Sequence, residues 1–188
     1  RERVLSEDEL RLLWPVFRRA GYPFGHLARL LLLTGARRAE GSEMTWDELD
    51  CPAEPRTWTI PSERSKNGTA HVVPLSPQAR AVLAEVPRGV GPFVFSSTDG
   101  MRAVSGFTAA KRRFDRLALE AARAEGVEPP TAWSFHDLRR TVRTGLARLG
   151  VPREVAERAI GHAGGSVLER TYDRHRYEAE IADALAAW

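Results

Sequence analysis

Cysteine is almost missing from this 188-residue sequence: Cys51 stands alone. A single cysteine excludes an internal disulfide and any multi-cysteine zinc site, so a reducing, cytoplasmic setting is the expectation. Long hydrophobic runs are missing as well. The densest, Leu30–Leu33, is flanked by charges and falls far short of the roughly 18 apolar residues that span a bilayer. The opening "RERVLSEDEL" lacks the apolar centre of a secretory signal. Internal repeats and low-complexity linkers are not found. Lysine is scarce: Lys66 and Lys111 are the only two, and arginine supplies the remaining positive charge.

What is present is an uneven distribution of charge. The net charge is +3. Residues 1–100 carry 13 basic and 13 acidic side chains, residues 101–176 carry 15 and 9, and residues 177–188 carry 3 acids only. A basic stretch of this kind suits a polyanion, because each neutralised phosphate releases counterions. A solvated helical surface accounts for it equally well at this level.

The element signals are mostly helical. Ser6 and Glu9 form a capping-box pair before Leu10, Leu13, Trp14 and Phe17, and Gly21 stops that helix. "FGHLARLLLLTG" reads as a buried helix. "TWTIP" and "HVVPL" read as strands of a hairpin turning at Asn67-Gly68, where both residues tolerate positive φ. Pro77 opens the next helix, "FVFSS" is a short extended piece, and "VSGFTAAKRRFDRLALEAARAEG" is a long helix closed by Gly126. After the loop "VEPPTAW", Ser134 caps "FHDLRRTVRTGLARLG". Pro152 opens a further helix that Gly161 ends, Ser166 and Glu169 can cap another, and "YEAEIADALAAW" closes the chain. The class is α+β, mostly helical, with one small antiparallel sheet.

Four places hold groups suited to phosphate chemistry. In "TGARRAE", Arg37 projects from the end of a buried helix, and its planar fork of donors fits a phosphate. In "SFHDLRRT", His136 and Arg139 lie three apart on one helical face, near a capped N-terminus that favours an anion. Lys66 beside the hairpin turn offers an ammonium able to donate a proton, which guanidinium effectively never does. In "GHAGGSVLERTYDRHR", Tyr172 follows His162 by ten residues and precedes His175 by three. Each has an ordinary alternative: charges after a buried helix, surface residues, a solvated lysine, and a core tyrosine four after Leu168.

Together, "TGARRAE", "SKNGTAHVVPLS", "FHDLRRT", "IGH" and "TYDRH" resemble, in order and spacing, the catalytic domain of the tyrosine recombinases of the phage-integrase family. The resemblance covers nearly the whole chain. It implies the DNA breaking-rejoining fold, a helical catalytic domain with one small three-stranded antiparallel sheet. It makes Tyr172 the nucleophile, Arg37 and Arg139 the catalytic arginines, Lys66 the lysine of the sheet, His136 the partner of Arg139 in H-x-x-R, and His162 the second histidine. Glu40 matches a carboxylate that supports the first arginine. Lys111, Arg112, Arg113 and Arg140 are candidate DNA contacts. Gly41 and Ser42 depart from the usual apolar pattern, so an irregular helix is expected after Arg37, and the interval from His162 to Tyr172 is one residue longer than in many relatives.

The resemblance further implies double-stranded DNA as partner, cleavage through a 3′-phosphotyrosyl link without metal or nucleotide cofactor, and self-association as a tetramer on paired sites. It places a catalytic domain at residues 1–174, a helical tail at 175–188 that packs on its own domain or on a neighbour, and a core-binding domain ahead of this segment. A cytoplasmic, nucleoid-associated location in a bacterial cell follows. The alternatives are a type IB topoisomerase, against which His136 argues because those enzymes commonly carry lysine there, a DNA-binding module without catalysis, and a structural helical protein. Tyr177 is the rival nucleophile.

Overall fold

The computed structural model describes residues 3–162 and 177–188. Its helices are α1 (Glu7–Ala20), α2 (Phe24–Thr34), α3 (Arg38–Ser42), α4 (Pro77–Ala84), α5 (Phe107–Glu125), α6 (Phe135–Arg148), α7 (Arg153–Ala159) and α8 (Glu178–Ala187), with a 3-10 turn at Trp46–Glu48. Local chemistry sets most of the ends. Ser6 and Glu9 exchange side-chain bonds with each other's backbone N–H at the start of α1. Ser76 caps α4, with Pro77 in its first turn. At α6 the Asp137 carboxylate accepts both the backbone N–H and the hydroxyl of Ser134, each at 2.8 Å. Each satisfies N–H groups that the helix itself leaves unpaired.

The centre is α2. Leu27, Leu30 and Leu31 are fully buried, and α1, α4 and α6 pack around it while α5 packs on α1. Even its one arginine is buried, because Arg29 donates to Glu85 at 2.7 Å. Phe17, Phe114, Trp133 and Phe135 form an aromatic cluster between α1, α5 and the start of α6, with ring centroids 5.0 to 6.3 Å apart. Edge and tilted contacts of this kind add to simple area burial.

Among the described residues the sheet has two strands, β1 (Thr57–Ile60) and β2 (His71–Pro74), antiparallel with Ile60 opposite His71. Three strands were expected. The segment beside β1 contributes a single bridge, Leu49 to Trp58. Beyond it, the Asp50 carboxylate accepts the N–H groups of Cys51, Arg56 and Thr57, which folds the chain into a turn before a ladder can extend. "FVFSS" does not join either: the N–H of Val94 goes to Met44, that of Ser96 to the Tyr22 hydroxyl, and Phe93 bridges only Thr45.

The tight turn expected at Asn67-Gly68 is a ten-residue connection, 61–70. Within it Gly68 alone has positive φ, at 64°, and its N–H closes a turn onto Ser65. The tail helix α8 packs on α7 and β2, and the Trp188 ring lies over Gly145 while its indole N–H donates to Leu32. The helix expected around Ser166 and Glu169 lies outside the described residues.

Candidate active site

Two chain reversals assemble the site. Gly35 ends α2 with φ 66°, a left-handed conformation that favours glycine, and a Cβ there would lie 2.8 Å from Ile160 Cγ2. The reversal leaves the Gly35 carbonyl facing α6, where Arg139 Nη1 donates to it at 2.8 Å. Two residues on, Arg37 occupies the cap of α3. Glu40 takes its backbone N–H at 2.7 Å and its Nη1 at 2.6 Å, so one buried carboxylate orients that arginine. α3 is only five residues long, and Gly41 lets it lie hard against Leu27 and Leu31 of α2.

Arg139 is 4% exposed, and among the described residues its Nη2 has no hydrogen-bond partner. Burial, then the like charge of Arg37, pulls the pKa of its guanidinium down to about 10, still charged at neutral pH. Two cations held in each other's field with an orphan buried donor make a receptor for an anion. His136, one turn before Arg139, is exposed. Partial desolvation, then Arg140 and Arg139, push its imidazole below the usual value of 6.5, so it is mainly neutral and able to accept a proton.

The second reversal is at Gly161, with φ 66°. Its carbonyl accepts Arg37 Nη2 at 3.3 Å and Asn67 Nδ2 at 3.0 Å. His162 follows, half-exposed, its Nδ1 within 2.6 Å of Glu157 Oε2. Burial alone would raise the Glu157 carboxyl, but hydrogen bonds from Arg143 and His162 hold it below its usual range. Arg37, Glu40, Arg139, His136 and His162 are thus drawn from three distant segments toward one place. Lys66 is exposed on the 61–70 loop beside Asn67. Tyr172 lies outside the described residues.

The candidate DNA contacts divide. Lys111 pairs with Asp115 and sits 4.5 Å above the Trp133 ring, and Arg140 pairs with Asp137 at 2.8 Å. Arg112 and Arg113 are exposed. Arg38, Phe107, Lys111, Arg112, Trp133 and His136 line an open cleft of about 590 Å³ between α5 and the start of α6.

Sequence reasoning missed His71. Its ring lies against Gly161, where an added Cβ would sit 2.9 Å away, and its imidazole is held below 6.5 by burial first, against an opposing pull from Glu40. The signal was strand parity: His71 shares a face with buried Val73. Among the described residues, no group of three or more His, Cys, Asp or Glu is arranged for a metal ion, and no helix is long and apolar enough to cross a membrane.

The profile of the phage integrase family matches residues 3–179. This chain belongs to the phage integrase family. The prophage integrase IntA of Escherichia coli (strain K12) is 31% identical to this integrase-family chain over 159 residues, which is 84% of the chain and 36% of that protein. The fold matches the catalytic domain of bacteriophage HP1 integrase, with a TM-score of 0.60 at 20% identity over 97% of this chain and 89% of that one. It also matches the Tn1549 transposon integrase in complex with circular intermediate DNA, with a TM-score of 0.63 at 16% identity over 97% of this chain and 64% of that one. The chain therefore spans a little over a third of the length of its curated relative, and the phage-integrase match accounts for nearly all of it.

Proposed function

We propose that this chain is the catalytic unit of a site-specific DNA recombinase or integrase, which cleaves and rejoins DNA through a 3′-phosphotyrosyl intermediate. The observation that carries the reading is the paired, partly desolvated Arg37 and Arg139, with one buried guanidinium nitrogen that has no partner among the described residues. Family membership and a DNA-bound structural relative support it. The catalytic unit is residues 1–174, and 175–188 is a tail for self-association on paired sites, where it would leave its own domain. The protein acts at the chromosome, on double-stranded DNA.

The chemistry follows from charge. A phosphodiester repels a nucleophile, so Arg37 and Arg139 hold the non-bridging oxygens and stabilise the charge that builds in the pentavalent transition state. The Tyr172 oxygen attacks phosphorus while one of His136 and His162 takes the phenol proton and the other donates to the phosphate. The bond to the 5′ oxygen breaks, and Lys66 protonates that leaving oxygen. The phosphotyrosyl bond retains the energy of the diester, so a 5′ hydroxyl from a partner duplex reverses the attack and completes strand exchange. Arg112 and Arg113 contact the backbone along α5, with Lys111 and Arg140 reaching phosphate by exchanging their carboxylate partners.

The test uses a nicked duplex that traps cleavage by losing its short 5′ fragment. The wild-type chain is expected to form a protein–DNA adduct stable to denaturation, and Tyr172→Phe to form none. An adduct undiminished in Tyr172→Phe would remove the tyrosine from its role, with Tyr177 the next to test. Relaxation of supercoils without joining of paired sites would favour a topoisomerase.

A further inference from the structure

The 61–70 loop is long enough to let Lys66 wander, yet three contacts pin it around the arginine site. On the entry side, Arg64 donates to the Glu40 carbonyl at 3.2 Å and to the Glu48 carboxylate at 2.8 Å, tying the loop to the helix that Arg37 caps. On the exit side, the His71 ring lies against Gly161, where an added Cβ would sit 2.9 Å from it. Between them Asn67, the residue after Lys66, donates to the Gly161 carbonyl at 3.0 Å. That same oxygen accepts Arg37 at 3.3 Å. One carbonyl is therefore shared by an arginine of the anion receptor and by the neighbour of the lysine, 124 and 94 residues away in sequence.

We propose that Asn67 is a positioning residue for Lys66: by hanging the loop tip on the Gly161 carbonyl, it registers the lysine ammonium to the oxygen that leaves the phosphate held by Arg37. The inference rests on the reading of Lys66 as the proton donor. Its logic is geometric. A proton donor works only within hydrogen-bond reach of the leaving oxygen, and a ten-residue loop with an exposed tip does not hold that reach unaided. The exposed Asn67 side chain costs little to replace in the fold, so its removal tests position rather than stability.

The experiment measures single-turnover cleavage of two nicked duplexes, one with the natural 5′ oxygen and one with sulfur at the bridging 5′ position. A thiolate leaves without a proton. Asn67→Ala is expected to slow the oxygen substrate roughly tenfold, part of the about 10²–10⁴ that a positioned acid supplies, and to leave the sulfur substrate within about twofold of wild type. In a Lys66→Ala background, Asn67→Ala should add nothing further on the oxygen substrate, since the two act through one group. Equal slowing of both substrates by Asn67→Ala, no slowing of either, or a full additive effect in the Lys66→Ala background would each overturn the role. Lys66→Ala that slows both substrates alike would remove the acid itself, and wild-type protein that cleaves neither would instead remove the recombinase reading.

Discussion

Arg139 concentrates the residue-scale argument. One guanidinium nitrogen is spent on the Gly35 carbonyl, and another is buried without a partner among the described residues. Lysine offers a single ammonium on a flexible stem and does not reproduce that fixed fork. Arg139→Lys should therefore lose about 10²–10³ in cleavage rate, the usual cost of removing one transition-state donor. The free wild-type protein should also gain thermal stability from millimolar inorganic phosphate, because an anion relieves the repulsion between Arg37 and Arg139. Arg139→Lys should gain less. A variant with unchanged cleavage and an unchanged phosphate response would show that the orphan nitrogen is not a receptor.

At the scale of elements, two glycines with nearly the same backbone make a controlled comparison. Gly35 has φ 66° and Gly68 has φ 64°, so alanine pays similar backbone strain at both. Among the described residues a Cβ at Gly68 meets nothing within 4 Å, whereas at Gly35 it lies 2.8 Å from Ile160 and 3.1 Å from Val142. Denaturant unfolding should place Gly35→Ala about 1–3 kcal/mol below Gly68→Ala, the range for overpacking a filled core. Equal losses would mean that α2, α6 and the α7 turn are not in close contact through Gly35. Helix ends were legible because their signals are local: Ser6 with Glu9, Gly35, Gly126 and Ser134 each act within a turn of the chain. The sheet was less so. Asn67-Gly68 carries the right composition for a two-residue hairpin, but Asn67 is occupied by Gly161, and the Asp50 turn stops the third strand after one bridge.

For the whole molecule, titration couples these sites to stability. His26, His71 and His136 are all held below 6.5, in each case by desolvation first. In the unfolded chain they take up protons near that value. Folding stability from these groups is thus complete above about pH 6.5 and falls as pH drops below it, since the unfolded state then binds more protons. Asp50, Glu85, Asp137 and Glu157 are also held below their ordinary range, so their contribution falls in a second, more acidic step. Thermal midpoints should decline from about pH 6.5 downward, before the carboxylates matter, and His71→Asn should flatten that first decline. A midpoint constant between about pH 7.5 and 5.5 would contradict the desolvation of these imidazoles.

By itself the sequence determined the helical class, most helix boundaries, and the residue types that handle a phosphate, because capping, turn chemistry and guanidinium geometry are properties of short segments. It also carried the order of motifs that resembles the recombinases. Only the tertiary structure decided that Arg37 and Arg139 share one field, that His71 lies beneath them, and that a single carbonyl of Gly161 receives both Arg37 and Asn67. The hydrogen bonds involved join residues 94 to 124 apart in sequence. Nothing in a local pattern specifies which carbonyl a distant donor meets; the packing of α2, α6 and α7 around Gly35 and Gly161 does.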